Sequence, residues 1–297
     1  MRIPLVAVVA AIVIHILWGA NPVAVKMGLE AFPPLWSAFF RFVIGVVCIA
    51  IWAMALGTRL WPKNREWPGL IILALWFMTQ IGLMNFGINF TSGASAAIMT
   101  ATYPLFSGIF AHFFIVGDRL DKTKIVGLLI AFLGVGLVLS KGQLPNELSQ
   151  VNVGDLILLI SAILLGGRMI YTAKLVRNIE PMRVVLWQML LSLGGFATGA
   201  FLWEEIIWIE VQWVSVGALL YQGMVIAGLA FMVNAWLIKR YSPSVMVSFG
   251  FLSPISGVVL SALLLGDALT WDLAVGTAGV GLGLIILTRR AYVRPRT

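Results

Sequence analysis

Residues 103–120 read YPLFSGIFAHFFIVGDRL, and residues 253–269 read SPISGVVLSALLLGDAL. Pro104 falls on Pro254 after 150 residues, and Gly117-Asp118 falls on Gly266-Asp267 after 149. The offset continues outward on both sides. Gly127 and Gly134 meet Gly276 and Gly283, Ser92 meets Ser242, and Asn85 meets Asn234. Farther back, Gly19, Lys26 and Pro33 meet Gly167, Lys174 and Pro181, each 148 later. Gly and Pro are common in this chain, so a single match means little. A nearly constant offset through almost half the chain marks a duplicated unit.

The unit is built for a bilayer. Hydrophobic residues make up 61% of the 297, charged residues 11%, and the mean hydropathy is +1.01. Soluble domains are nearer half apolar and about a quarter charged. The apolar residues come in runs of about 20, the length that crosses a hydrocarbon core as a helix. Breaking the runs at charges and Pro gives ten: Leu5–Met27, Pro34–Leu56, Trp67–Phe90, Ala94–Val116, Thr123–Ser140, Val153–Val176, Met182–Phe201, Trp213–Ile238, Ser244–Leu265 and Trp271–Thr288. Five fall in residues 1–140 and five in 153–297, joined by an extracytoplasmic linker over 141–152. An odd number of crossings turns the second copy upside down, which is the architecture of a secondary transporter. The expected fold is therefore all-α and integral to the membrane, with ten helices in two inverted five-helix repeats around a central cavity. The first run, preceded by Arg2, is longer than a signal peptide's apolar region and has a repeat partner, so it reads as a retained helix.

The net charge of +8 describes topology, not a nucleic-acid surface. Sixteen of the 20 Lys and Arg fall at the ends and loops on the side of the N-terminus, and only Lys26 and Lys141 on the other. The positive-inside rule then places both termini in the cytoplasm of a multi-pass inner-membrane protein. Cys48 stands alone, His15 and His112 are dispersed, and no metal site or cofactor is called for.

Function should lie where helices break and where polar groups sit at membrane depth. Pro22 removes an N–H from the first span and frees the carbonyl of Trp18. Pro104 and Pro254 occupy matching places in spans four and nine, and Gly166-Gly167 occupies the sixth span's counterpart of the first break. These five are candidate hinges, or static kinks that shape the bundle. Gly279 and Gly283 form a GxxxG pair that reads as close helix packing.

Arg168 is the strongest polar candidate, nine residues from Arg177 and too deep to snorkel readily. Every one of the 12 Asp and Glu lies in a loop or at a span end, so its partner is water, an anionic solute group, or backbone carbonyls at a kink. Arg41, seven residues inside its span, reads as a snorkelling side chain in preference to a functional one. Candidate cavity residues are His15, Trp18 and Asn21 on span one, Trp76, Gln80 and Asn85 on span three, and Tyr103 on span four. Arg168, Tyr171, Trp187 and Gln188 complete the set from the second half. A lone His in an apolar helix is more often a satisfied interhelical donor, and His15 reads so in preference to a cavity residue. With no carboxylate in the spans, transport that follows the solute gradient is expected, since proton-driven carriers commonly use Asp, Glu or His relays.

Trp18-Gly19-x-Asn21-Pro22 with Lys26 resembles the EamA-type branch of the drug/metabolite transporter superfamily. So do the paired Tyr103-Pro104…Gly117-Asp118-Arg119-Leu120 and Ser253-Pro254…Gly266-Asp267-Ala268-Leu269. Many members carry Glu where this chain has Asp118 and Asp267. The resemblance covers the whole chain and is greatest for bacterial inner-membrane exporters of amino acids, the aromatic group in particular. It implies spans 1, 3, 4, 6, 8 and 9 around a central cavity, spans 5 and 10 closing one end, and a small-molecule substrate carried by a monomer or weak dimer. The alternatives are a sugar-phosphate, nucleotide-sugar or drug transporter of the same fold. From another class, an intramembrane enzyme lacks the buried carboxylates it would need.

Overall fold

In hydrocarbon each span must satisfy its own backbone, so ten apolar runs can only become helices. The computed structural model describes residues 4–115, 120–139, 152–205, 211–240 and 249–288, and among these there is no strand. Span one is α1 (Leu5–Leu29), span two α2 (Pro34–Ala55) and span three α3 (Trp67–Asn89). Span four is two helices, α4 (Gly93–Thr100) and α5 (Tyr103–Phe114), and span five is α6 (Lys122–Leu139). The second repeat begins with α7 (Val153–Leu175) and α8 (Pro181–Trp203). Span eight runs as α9 (Trp213–Leu220), a π-helical stretch (Tyr221–Ala230) and α10 (Phe231–Arg240). Spans nine and ten are α11 (Leu252–Leu265) and α12 (Trp271–Thr288). Asp118, the linker residues before Asn152 and the start of span nine lie outside the described residues.

The packing repeats itself about a pseudo-twofold. Span three packs on span six as span eight packs on span one. Span four lies on six as nine lies on one, and three lies on seven as eight lies on two. Spans five and ten cross each other through bare backbone: a methyl group at Gly134 would sit 2.8 Å from the carbonyl oxygen of Gly276. These two helices brace the repeats, as the GxxxG spacing suggests.

Side-chain caps sort the helix ends into two groups, one at each face of the bundle. On the face away from the chain termini, Lys26 Nζ donates to the carbonyls of Ile88 (3.2 Å) and Asn89 (3.1 Å), a cation at the C-terminal end of α3. Thr91 donates to Asp155 at 2.6 Å. Glu204 accepts the N–H groups of Leu35 and Trp36 at the start of α2. Burial pushes the Glu204 carboxyl up, and these two hydrogen bonds only partly oppose it. The Gly-Asp motif takes its meaning here too. Gly266 ends α11 in the left-handed region (φ 71°), where a side chain would be strained. The turn lets Asp267 accept the N–H of Ala94 at 3.0 Å, tying the end of span nine to the start of span four. On the face of the termini, Arg183 pairs with Glu66 at 2.8 Å and Lys239 with Glu180 at 2.9 Å.

Two proline expectations are corrected. Pro104 does not bend a continuous helix, because the helix has already broken before it, and the described helix that holds Pro254 begins only two residues earlier, at Leu252. Ala101-Thr102 separates α4 from α5, a turn over residues 249–251 precedes α11, and each proline lies in the first turn of the new helix. There the missing N–H has no intrahelical acceptor to lose. Pro22, by contrast, lies within the continuous α1.

Candidate functional site

The break in span four and the start of α11 face one cavity between the repeats. Thr100, Ala101 and Tyr103 from span four and Ser253 from span nine line it. Irregular backbone at membrane depth is tolerated where it lines such a space. Trp18, Gly19, Asn21 and Pro22 come from α1, Gln80 from α3, Arg168 from α7 and Gln188 from α8. Of the residues singled out in the sequence, the cavity therefore gathers Trp18, Asn21, Pro22, Gln80, Tyr103, Arg168 and Gln188.

The remaining candidates have other occupations. His15 is buried behind Trp18, their ring centroids 5.4 Å apart, with its Nδ1 2.7 Å from the Ala11 carbonyl of its own helix. Asn85 Nδ2 donates to the Pro34 carbonyl at 2.8 Å and ties α3 to α2. Trp76 stacks on Tyr171 at 6.1 Å, and Tyr171 Oη reaches the Gly69 carbonyl at 3.4 Å. Trp187 is not deep at all. Its Nε1 donates to the Leu60 carbonyl at 2.8 Å, and its ring meets Trp61 and Trp67 edge-on at the face of the termini. The Gly166-Gly167 pair permits close crossing: a methyl at Gly166 would lie 2.8 Å from Ser107 N, and one at Gly167 2.6 Å from the Trp76 ring.

Arg41 corrects the sequence reading. It does not snorkel: it is 2% exposed and lines the cavity. Its Nη1 donates to Gln222 Oε1 at 3.3 Å, and Gln222 Nε2 donates to the Ala24 carbonyl at 2.9 Å, which fixes the amide's orientation. Gln222 belongs to the π-helical stretch, a rare geometry that recurs at functional sites. Arg168 is held likewise, its Nη1 donating to Gln188 Oε1 at 3.3 Å. The guanidinium of Arg41 lies 4.5 Å from the Phe42 ring, that ring 4.7 Å from Phe77, and Phe77 4.8 Å from the guanidinium of Arg168. Those three steps keep the two cations within about 14 Å, where their repulsion at an effective dielectric of about 20 is at least about 1 kcal/mol.

Among the described residues, no Asp or Glu lines the cavity to neutralise them. Several buried polar atoms of the wall have no hydrogen-bond partner: Trp18 Nε1, Asn21 Oδ1, Arg41 Nε and Nη2, Gln80 Oε1, Thr100 Oγ1 and Arg168 Nε. Buried polar groups are nearly always paired, so such a concentration points to a place where something polar is received. Sequence reasoning preferred snorkelling for Arg41, and it missed Asn234 and Ser253 in this wall. The repeat could have found the last two, as mates of Asn85 and Tyr103.

A model of the EamA-like transporter family matches residues 5–140 and 152–289 of the chain. The chain is 25% identical to the "Uncharacterized inner membrane transporter YedA" of Escherichia coli, over 96% of its own length and 92% of the relative's. It is 26% identical to a "Probable amino-acid metabolite efflux pump" of Salmonella typhimurium, over 93% and 92%. It is also 26% identical to the "Uncharacterized transporter YvbV" of Bacillus subtilis, over 88% and 84%. A crystal structure superposes with a TM-score of 0.73 at 19% identity, covering 96% of this chain and 98% of that one.

Proposed function

Since this chain belongs to the EamA-like transporter family and is a multi-pass membrane transporter, we propose that it exports amino acids and related small metabolites across the inner membrane by alternating access. The observation that carries this is the cavity between the inverted repeats, where Arg168 keeps a buried, unpartnered Nε. A planar guanidinium pairs best with a carboxylate. Trp18 and Tyr103, edge-on at 6.5 Å, offer aromatic faces that suit an ammonium group. The relative named as an amino-acid metabolite efflux pump supports the same substrate class. Purified protein in liposomes, offered labelled amino acids one at a time, tests it. Saturable uptake of at least one is expected, and flux of none overturns the reading.

The same wall bears on energy coupling. Among the described residues its titratable side chains are arginines and a tyrosine, and His15 is bonded within its own helix. Transport therefore follows the substrate gradient. With equal solute on both sides of the liposome membrane, an imposed pH gradient is expected to drive no net accumulation. Uphill uptake that disappears in His15→Ala would reverse this and identify a relay.

The orientation that fits the charge distribution has both termini cytoplasmic, with residues 141–152 outside. Single cysteines replacing Lys63 and Lys122 should resist an impermeant maleimide added to intact cells. Labelling of either from outside inverts the topology.

A further inference from the structure

Resting on the amino-acid-metabolite reading, we propose that the preferred solute carries two carboxylates, one for each buried arginine: an acidic amino acid or a short dicarboxylate. Arg41 leaves Nε and Nη2 unpartnered while Nη1 is held by Gln222. Those two free nitrogens form the side-on edge of the guanidinium, the edge that takes a carboxylate through two parallel hydrogen bonds. Arg168 is held in the same way by Gln188 and leaves Nε free. Both arginines are more than nine-tenths buried and both line the one cavity.

The choice of holder matters. Glutamine fixes the direction of each guanidinium but supplies no negative charge, whereas a glutamate would have neutralised it. Among the described residues the wall thus presents two fixed positive charges and no acidic side chain. A neutral amino acid brings one carboxylate and one ammonium, so it leaves that charge uncompensated. A solute with two carboxylates satisfies both. The holders stand on different helices, α8 and the π-helical stretch, and the two arginines lie against different rings, Arg41 against Phe42 and Arg168 against Phe77. Two separate anionic groups on one small solute fit that arrangement better than a single phosphate.

Aspartate and asparagine have nearly the same shape and differ in the second carboxylate, so they form the decisive pair. In proteoliposomes the wild-type protein should take up aspartate at least about tenfold faster than asparagine at low concentration. Unlabelled succinate should compete with aspartate, and glycerol phosphate should compete at least tenfold less well. Arg41→Gln should bring the aspartate-to-asparagine ratio close to one. Equal uptake of the two by the wild-type protein overturns the assignment and needs no variant to do so. A preference that survives Arg41→Gln in folded protein, or stronger competition by glycerol phosphate than by succinate, overturns it as well. The two readings fail differently. If all amino acids are carried alike and succinate is ignored, the exporter reading stands and this one falls. If succinate is carried and no amino acid is, the two-carboxylate site stands and the amino-acid reading falls.

Discussion

Arg168→Gln is expected to slow transport of every carboxylate-bearing solute by at least about thirtyfold. Removing one partner of a buried, hydrogen-bonded charge pair costs about 2 kcal/mol at the low end, and each 1.4 kcal/mol is about a factor of ten. Glutamine retains a hydrogen-bonding end beside Gln188, so what is lost is chiefly the charge and the forked donor geometry. Stability should move the other way. A central membrane arginine carries an insertion penalty of roughly 2.5–3.5 kcal/mol, which its hydrogen bond to Gln188 and its contact with Phe77 offset only in part. The variant should therefore melt in detergent no lower than the parent, and Trp18→Ala should reduce uptake of large side chains most. A variant that melts lower and transports normally would make Arg168 a structural residue. One that melts unchanged and transports nothing carboxylate-bearing is what the cavity demands.

Arg168 and Arg41 show how far depth along a helix can be read from sequence and where it stops. Both are arginines inside apolar runs, and the signal for each is the same. Arg168 lies eight residues inside the end of its span and Arg41 seven, so depth along the axis hardly separates them. Distance to the span end nevertheless suggests escape to the interface for Arg41. What decides is rotation about the axis: α2 turns Arg41 toward Gln222 and the cavity. A helix apolar nearly all round gives no stripe from which to read that rotation. The repeat, the spans and the inverted arrangement were legible because offset and hydropathy are properties of sequence spacing. The partners of Asn85, His15 and Trp187 were not, since each bonds a backbone carbonyl, and any residue type offers one. The break before Pro104 was legible as a break, but its position, a residue or more upstream, follows from proline's comfort in the first turn of a helix. Nothing in Tyr221–Ala230 announces a π-helical stretch.

Arg183, which the sequence offers only as one more cytoplasmic cation, should prove the most costly of the basic residues to remove. Its Nη1 donates to both Glu66 oxygens, at 3.0 and 2.8 Å, and its Nη2 donates to the Arg59 carbonyl at 2.9 Å. Glu66 also accepts the Lys63 N–H at 2.9 Å, and Trp187 holds the Leu60 carbonyl beside it. One ion pair thus folds the whole connection between α2 and α3 against the start of α8. Both members are buried, at 9% and 6% side-chain exposure. Removing one partner of such a pair typically costs about 3–5 kcal/mol, because the other charge stays buried without compensation. Arg183→Leu should lower the unfolding free energy in detergent by that amount. Glu66→Leu added to it should restore most of the loss, because an apolar pair of similar volume needs no counter-charge. The measurement is a double-mutant cycle read by denaturant or thermal unfolding. If Arg183→Leu and Glu66→Leu simply add, with no coupling between them, the pair is a surface contact and the connection is held by the tryptophans alone. A coupling of at least about 2 kcal/mol is expected instead, since residues joined through direct hydrogen bonds share their losses.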